Sequence, residues 1–245
     1  MVKYLGGKQR IGKHIAEFLK TIKTDKYLEP FCGGCGVLKN MTHINDIIAN
    51  DYHPDLIEMW RQVQDESFIF PESVSEEEYL DAKQLQSPSG MKAFIGFGMS
   101  FGGRFFGAFS QKYLGNKKED FCKEMTNSLK RIGPLIKHVK FTNDLYQTMK
   151  PEGYLIYCDP PYAKTKFPIN YRRDTKKYDK FDSEEFWNIM REWSKKNTVI
   201  ISELSAPPDF KEVWSSALIR SASRSKNTTN TKKNVVIEKL FMYNI

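Results

Sequence analysis

Cysteine is scarce in this chain: four among 245 residues, at Cys32, Cys35, Cys122 and Cys158. That number and spacing exclude a disulfide-stapled scaffold and point to a reducing, cytoplasmic setting. Cys32 and Cys35 form a C-x-x-C, yet no second pair follows and the four histidines are scattered. A zinc or redox site is therefore not expected; small residues in a tight turn explain the pair better. Long apolar runs are also missing. None reaches the ~20 residues that span a bilayer, and "MVKYLGGKQRIGKHIAEFL" lacks the layout of a signal peptide. No membrane partner is expected, and no internal repeat is present. Acids are outnumbered: 38 Lys and Arg face 30 Asp and Glu, leaving a net charge of +8. Such an excess favours a polyanionic partner, nucleic acid first.

What is present reads as alternating helices and strands. Ile11, Ile15, Phe18, Leu19 and Ile22 recur at helical spacing. "KYLEPF" (26–31) reads as a strand closed by a glycine turn at 33–36, and "VLKNM" as the helix that follows. "HINDIIAND" (43–51) is the next strand, and "PDLIEMWRQV" (54–63) a helix with Pro54 in its first turn. Between 65 and 138 the alternation is lost. Glycines, aromatics and basic residues interleave, and this stretch reads as an inserted, mainly helical region. The alternation resumes with "VKFTND" (139–144), "YLIYCD" (154–159), the helix "SEEFWNIMREWSKK" (183–196) and the strand "TVIISE" (198–203). "ALIRSA" and "NVVIEKLFMYNI", joined by a polar loop, close the chain as an antiparallel hairpin. The pattern predicts an α/β fold with a mostly parallel, Rossmann-like sheet. Residues 1–64 and 139–245 would form the sheet domain, with 65–138 inserted.

Ligands of such sheets bind beyond the carboxyl ends of the strands, and three acid-bearing strand ends meet there: Asp51, Asp144 and Asp159. In "EPFCGGCG", Gly33, Gly34 and Gly36 let the backbone turn and approach a ligand with no Cβ in the way. Asp51, at the next strand end, suits an acceptor for ribose hydroxyls. The spacing is not G-x-G-x-x-G, which disfavours a dinucleotide. "CDPPY" is the most telling stretch. The amine of a nucleobase is a poor nucleophile because its lone pair is delocalised into the ring. To accept a methyl group its hydrogens must be held by acceptors. Asp159 supplies a carboxylate, the carbonyl of Pro160 a second acceptor aimed by a rigid ring, and Tyr162 a face for stacking. With Pro161 they form a compact clamp for an NH₂ on an aromatic ring. A Pro-Pro turn capping a strand is the plain alternative.

These segments, in this order, resemble the Dam-like, alpha-class DNA adenine methyltransferases that use S-adenosylmethionine. "KYLGGK" (3–8) is similar to their N-terminal cofactor motif, "YLEPFCGGCGVL" to their glycine motif, with Cys35 replacing a small residue, and "CDPPY" to their catalytic tetrapeptide. "ANDYHPDLI", "KFDSEEFW" and "VIISE" follow suit. The resemblance implies a class I methyltransferase fold with S-adenosyl-L-methionine held by Tyr4, Lys8, Phe31, Gly33, Gly34, Asp51, Asp144, Leu145 and Asp159. Leu145 departs from the aromatic residue common there. The resemblance also implies that 65–138 reads double-stranded DNA, with Arg104, Lys112, Lys117 and Lys118 as contacts. The basic–aromatic stretch 171–180 would close over an extruded base or remain a surface loop. A cytosine-N4 or RNA amino methyltransferase, and a non-catalytic DNA-binding module on the same fold, are the alternatives. The DNA sequence recognised, a restriction partner and the oligomeric state are not legible here, although a monomer suffices.

Overall fold

The computed structural model describes residues 2–110, 120–161, 181–220 and 234–244, together with the backbone of two short strands in between. The elements run α1 (Gly12–Leu19), β1 (Lys26–Glu29), β2 (Asp46–Asn50), α2 (Pro54–Gln64), α3 (Glu76–Gln84) and α4 (Gly90–Gly98). Then come β3 (Tyr113–Leu114), β4 (Lys117–Lys118), α5 (Phe121–Ile132), β5 (Val139–Thr142) and β6 (Leu155–Cys158). The chain ends with α6 (Ser183–Ser194), β7 (Thr198–Ser202), β8 (Phe210–Arg220) and β9 (Asn234–Tyr243).

Seven strands form one sheet in the order β5-β2-β1-β6-β7-β9-β8. β1 pairs in parallel with both β2 and β6, and β9 pairs antiparallel with β7 and β8. The expected α/β sheet with a terminal hairpin is the observed one. All four residues of β6 are buried, as fits a central strand covered on both faces. The helices follow their sequence signals. In α2, Pro54 occupies the first turn, and Leu56, Ile57, Met59, Trp60 and Val63 face inward at three- and four-residue spacing. Ser75 and Glu78 form a capping box at the start of α3. Asp120 and Asp182 cap α5 and α6 by accepting backbone N–H groups.

Two elements differ from the pattern read above. "VLKNM" forms a single 3₁₀ turn, Leu38–Asn40, and not an α-helix. The Asn40 amide bonds back to the carbonyls of Gly36 and Val37 at 3.1 and 3.4 Å, which competes with helix propagation. β8 starts at Phe210, earlier than its apolar stretch suggests, because a bulge between Glu212 and Trp214 breaks the alternation.

The segment 65–138 carries α3, α4 and α5 within the crossover from β2 to β5. It is packed onto the sheet layers: Phe94, Phe97, Met125 and Leu129 share one apolar cluster with Ile15, Leu38 and Trp60.

Close backbone approach governs the start of α1. A Cβ on Gly12 would lie 2.1 Å from the Gly36 carbonyl oxygen. Alanine ordinarily gains up to about 1 kcal/mol over glycine in a helix. Here the overlap reverses the sign, and Gly12→Ala should cost about 1–3 kcal/mol. The urea unfolding midpoint measures this; a variant as stable as the parent would show that the glycine turn yields freely.

Candidate active site

The strand order reverses at β1 and β6: from β1 the sheet extends outward through β2 and β5, and from β6 in the other direction. Connections leave these two strands on opposite sides, so a crevice opens beyond their carboxyl ends. β1 delivers Glu29, Pro30 and Phe31 to it, and β6 delivers Asp159 and Pro160.

After β1 the chain makes the glycine turn. Gly33 has φ +46 and Cys35 φ +53, both in the left-handed region. A Cβ on Gly33 would lie 2.8 Å from the Tyr4 ring, so glycine lets that aromatic close over the turn. The turn is held from several sides. Trp60 Nε1 donates to Gly33 O at 2.9 Å, and Gln9 Nε2 donates to Gly34 O at 2.6 Å. Asp51 Oδ2 accepts the Gly33 N–H at 3.0 Å, and Oδ1 accepts the His53 N–H at 3.0 Å. Burial pushes the Asp51 carboxyl up to about 6, while these two N–H donors pull it down. Cys32 and Cys35 are buried free thiols, and burial raises both above the usual thiol value, Cys32 well above it.

Asn50 ties three strand ends together. Its amide donates to Pro30 O at 3.1 Å and to Asp144 O at 3.0 Å. Its carbonyl accepts from Thr142 Oγ1 and from Asp144 N, both at 2.8 Å. One buried side chain thereby fixes the exits of β1, β2 and β5 relative to each other.

On the other side of the crevice lies a buried ion cluster. Lys8 Nζ sits 3.0 Å from Asp159 Oδ1 and 3.1 Å from Glu238 Oε1. Glu238 Oε1 also accepts a hydrogen bond from Ser202 Oγ. Lys8 and Glu238 are each 7% exposed, whereas Asp159 keeps 18% of its side chain open to the crevice. Burial raises the Asp159 carboxyl to about 6; Lys8 opposes this, and Glu238 and Glu203 reinforce it. Glu29 lies buried nearby, accepts from Tyr27 Oη at 2.7 Å, and is raised by burial to about 8.

The residues singled out from sequence fall into clear groups. Tyr4, Gly33, Gly34 and Asp51 meet at the glycine turn, and Lys8 meets Asp159. Phe31 packs on Tyr146 with ring centres 5.1 Å apart. Asp144 is exposed and joins the framework through its backbone, and Leu145 is 49% exposed beside it. Pro160 is buried and Pro161 half-buried. Arg104 is exposed. Tyr162, Lys112 and the stretch 171–180 lie outside the described residues, as do the side chains of Lys117 and Lys118 in β4. Sequence reasoning missed Asn50, Glu29 and Glu238. Glu29 and Asn50 had a signal, since each is a polar residue closing an apolar strand.

A scan against family models decides the family: the model for D12 class N6 adenine-specific DNA methyltransferase matches residues 4–91 and 104–237. The chain belongs to that family. This methyltransferase therefore acts on adenine in DNA, and the cytosine and non-catalytic alternatives fall away. The matched residues include both halves of the ion pair, Lys8 and Asp159, and end one residue short of Glu238. No curated protein matches the chain significantly. Among the described residues, no helix is long and apolar enough to cross a membrane, and no group of His, Cys, Asp or Glu is gathered to hold a metal.

The ion cluster predicts opposite responses to two substitutions. Lys8→Met removes the cation that lowers Asp159, so its carboxyl should titrate above about 6. Glu238→Gln removes a negative neighbour and should lower it. Carbon-13 carboxyl shifts followed against pH report the two directions; a change of the same sign in both would contradict the arrangement.

Proposed function

We propose that the methyltransferase takes its methyl group from S-adenosyl-L-methionine and delivers it to adenine extruded from duplex DNA, with Asp159–Pro160–Pro161–Tyr162 as the amine clamp. The observation that carries this reading is the Lys8–Asp159 ion pair at the point where the strand order reverses.

The crevice suits a nucleoside that carries a sulfonium. Its glycine turn lets the Tyr4 ring close against the backbone that follows β1. Asp51 accepts one backbone N–H on each oxygen, and a carboxylate oxygen has room for a second donor such as a ribose hydroxyl. Tyr4, Lys8, Phe31, Gly33, Gly34, Asp51, Asp144 and Leu145 are the residues that would hold it. When bound, the cofactor supplies a methyl group on a positively charged sulfur, which leaves as a neutral thioether.

The chain's own groups then act on the amine. Asp159, still ionised at neutral pH, accepts one N–H of the adenine amine and faces the positive charge that develops on nitrogen. The Pro160 carbonyl accepts the second N–H. Lys8 holds the Asp159 carboxylate in place, so little reorganisation is needed as charge develops. The released proton leaves through solvent at the exposed edge of Asp159. The base must leave the stack to reach this site. Residues 65–138, with Arg104, Lys112, Lys117 and Lys118, would provide the DNA contacts.

Asp159→Asn keeps the shape and one acceptor oxygen but removes the charge. Labelled methyl transfer to duplex DNA should fall by about 10²–10³ while DNA binding persists. Near-parental transfer would refute the clamp. In the parent, transfer should fall as pH drops through about 6, because the protonated carboxyl has lost its charge. Stability should move the other way. The folded pKa lies above the ordinary value of 3.8, so this group favours folding at low pH and loses that contribution as pH rises through about 6.

A further inference from the structure

We propose that Cys32 and Cys35 form a reversible disulfide across the glycine turn, which switches off cofactor binding when the protein meets hydrogen peroxide. This rests on the cofactor reading above and adds to it a redox control of that same site.

Spacing alone did not favour a redox pair; the shape of the turn does. Cys35 N donates to Cys32 O at 2.8 Å. That bond closes a four-residue turn and holds the two Cα atoms within about 7 Å, the reach of a disulfide. Both are free thiols, and they hydrogen-bond to each other. The other two cysteines are engaged elsewhere, Cys122 Sγ with Pro71 O at 3.3 Å and Cys158 Sγ with Met190 Sδ at 3.5 Å. Cys35 has φ +53, a conformation that glycine adopts freely and cysteine holds at a cost. It also stands where the resembling enzymes carry a small residue, so the pair is this chain's own departure. A side chain kept in a strained position points to a use for that side chain.

Burial raises both thiols, while the hydrogen bond from Cys32 and the charge of Lys39 draw Cys35 back. Both side chains are buried, so the reaction is slow and answers a sustained dose of a small, neutral oxidant. One thiolate attacks a peroxide oxygen, the O–O bond breaks, and a first water leaves behind a sulfenic acid. The second sulfur attacks the first, the remaining oxygen departs as water, and the S–S bond forms. Two thiols have lost two hydrogens and two electrons, and one peroxide has become two waters. Bonding draws the sulfurs closer than contact, and the turn between them must yield. Its carbonyls are fixed: Trp60 Nε1 holds Gly33 O at 2.9 Å, Gln9 Nε2 holds Gly34 O at 2.6 Å, and Lys39 Nζ braces Gln9 Oε1 at 2.6 Å. The bond that gives is the one from Gly33 N–H to Asp51 Oδ2, 3.0 Å long in the reduced turn. Asp51 is the proposed ribose acceptor, so cofactor affinity falls with it.

The test exposes the full chain to hydrogen peroxide, removes the excess and reads two quantities. Peptide mass spectrometry should find Cys32 joined to Cys35 with the loss of two hydrogens. Calorimetry should find S-adenosyl-L-methionine bound about tenfold or more weakly, with affinity returning on treatment with dithiothreitol. Cys35→Gly keeps the left-handed φ and removes one thiol, and its affinity should be the same before and after peroxide. Cys32→Ser repeats that comparison from the other side of the pair. An absent bridge, a bridge that leaves affinity unchanged, or an equal loss in the two variants would overturn the switch while leaving the functional reading standing. A reduced parent that binds no cofactor overturns the reading and the switch together.

Discussion

One buried ammonium organises this molecule. Lys8 Nζ lies between Asp159, which follows the central strand β6, and Glu238, on the terminal hairpin strand β9. Removing a charge from water costs several kcal/mol, and the attraction between partners recovers that only when geometry is held firmly. The N-terminal segment, the centre of the sheet and its far hairpin must therefore be in register before the cluster is stable. Conversely, the cluster reports on that register. A carboxylate that is open to the crevice on one side and clamped by an ammonium on the other is positioned by the whole fold.

The glycines beside it act by letting chains pass closely. Gly36 lies against the backbone of Lys8 and Gln9, Gly33 against the Tyr4 ring, and Gly103 against the Tyr4 backbone. Each contact leaves no space for a Cβ. The N-terminal segment is thereby held between the glycine turn after β1 and the turn after α4, with Lys8 directed at the crevice. Asn50 performs the matching task on the opposite side by joining the exits of β1, β2 and β5. The crevice thus has one wall set by steric approach and one set by a saturated amide.

Much of this was legible in the sequence, for local reasons. β6 could be read because an apolar run ends on two prolines, and Asp51 because it closes a strand that a helix-starting proline follows. Glu238 could not. Alternation along "NVVIEKLFMY" suggests that Ile237 faces inward and Glu238 outward, but Ile237 is 50% exposed and Glu238 is buried. The hairpin's inner face is turned toward a cation from the other end of the chain, and no local pattern encodes that partner. The helix expected at "VLKNM" failed for a related reason. Asn40 finds backbone carbonyls to bond, a competition that apolar spacing does not register.

The charges around Asp159 set the working range of the proposed clamp. Burial raises the Asp159 carboxyl, and a protonated acid is a poor partner for an amine gaining positive charge. Lys8 counters this and holds the group near 6, low enough to be ionised in a neutral medium. A stronger pairing would also fail, because a fully neutralised carboxylate has less charge to offer the amine. Glu238 draws part of the Lys8 field to itself and so leaves Asp159 under-compensated. Glu29 completes the balance. Raised to about 8, it stays neutral in the same medium and adds no second charge beside the clamp. In the proposed mechanism the site therefore presents one carboxylate to the target amine, ionised and only partly neutralised, with Glu29 neutral and Glu238 ion-paired beside it.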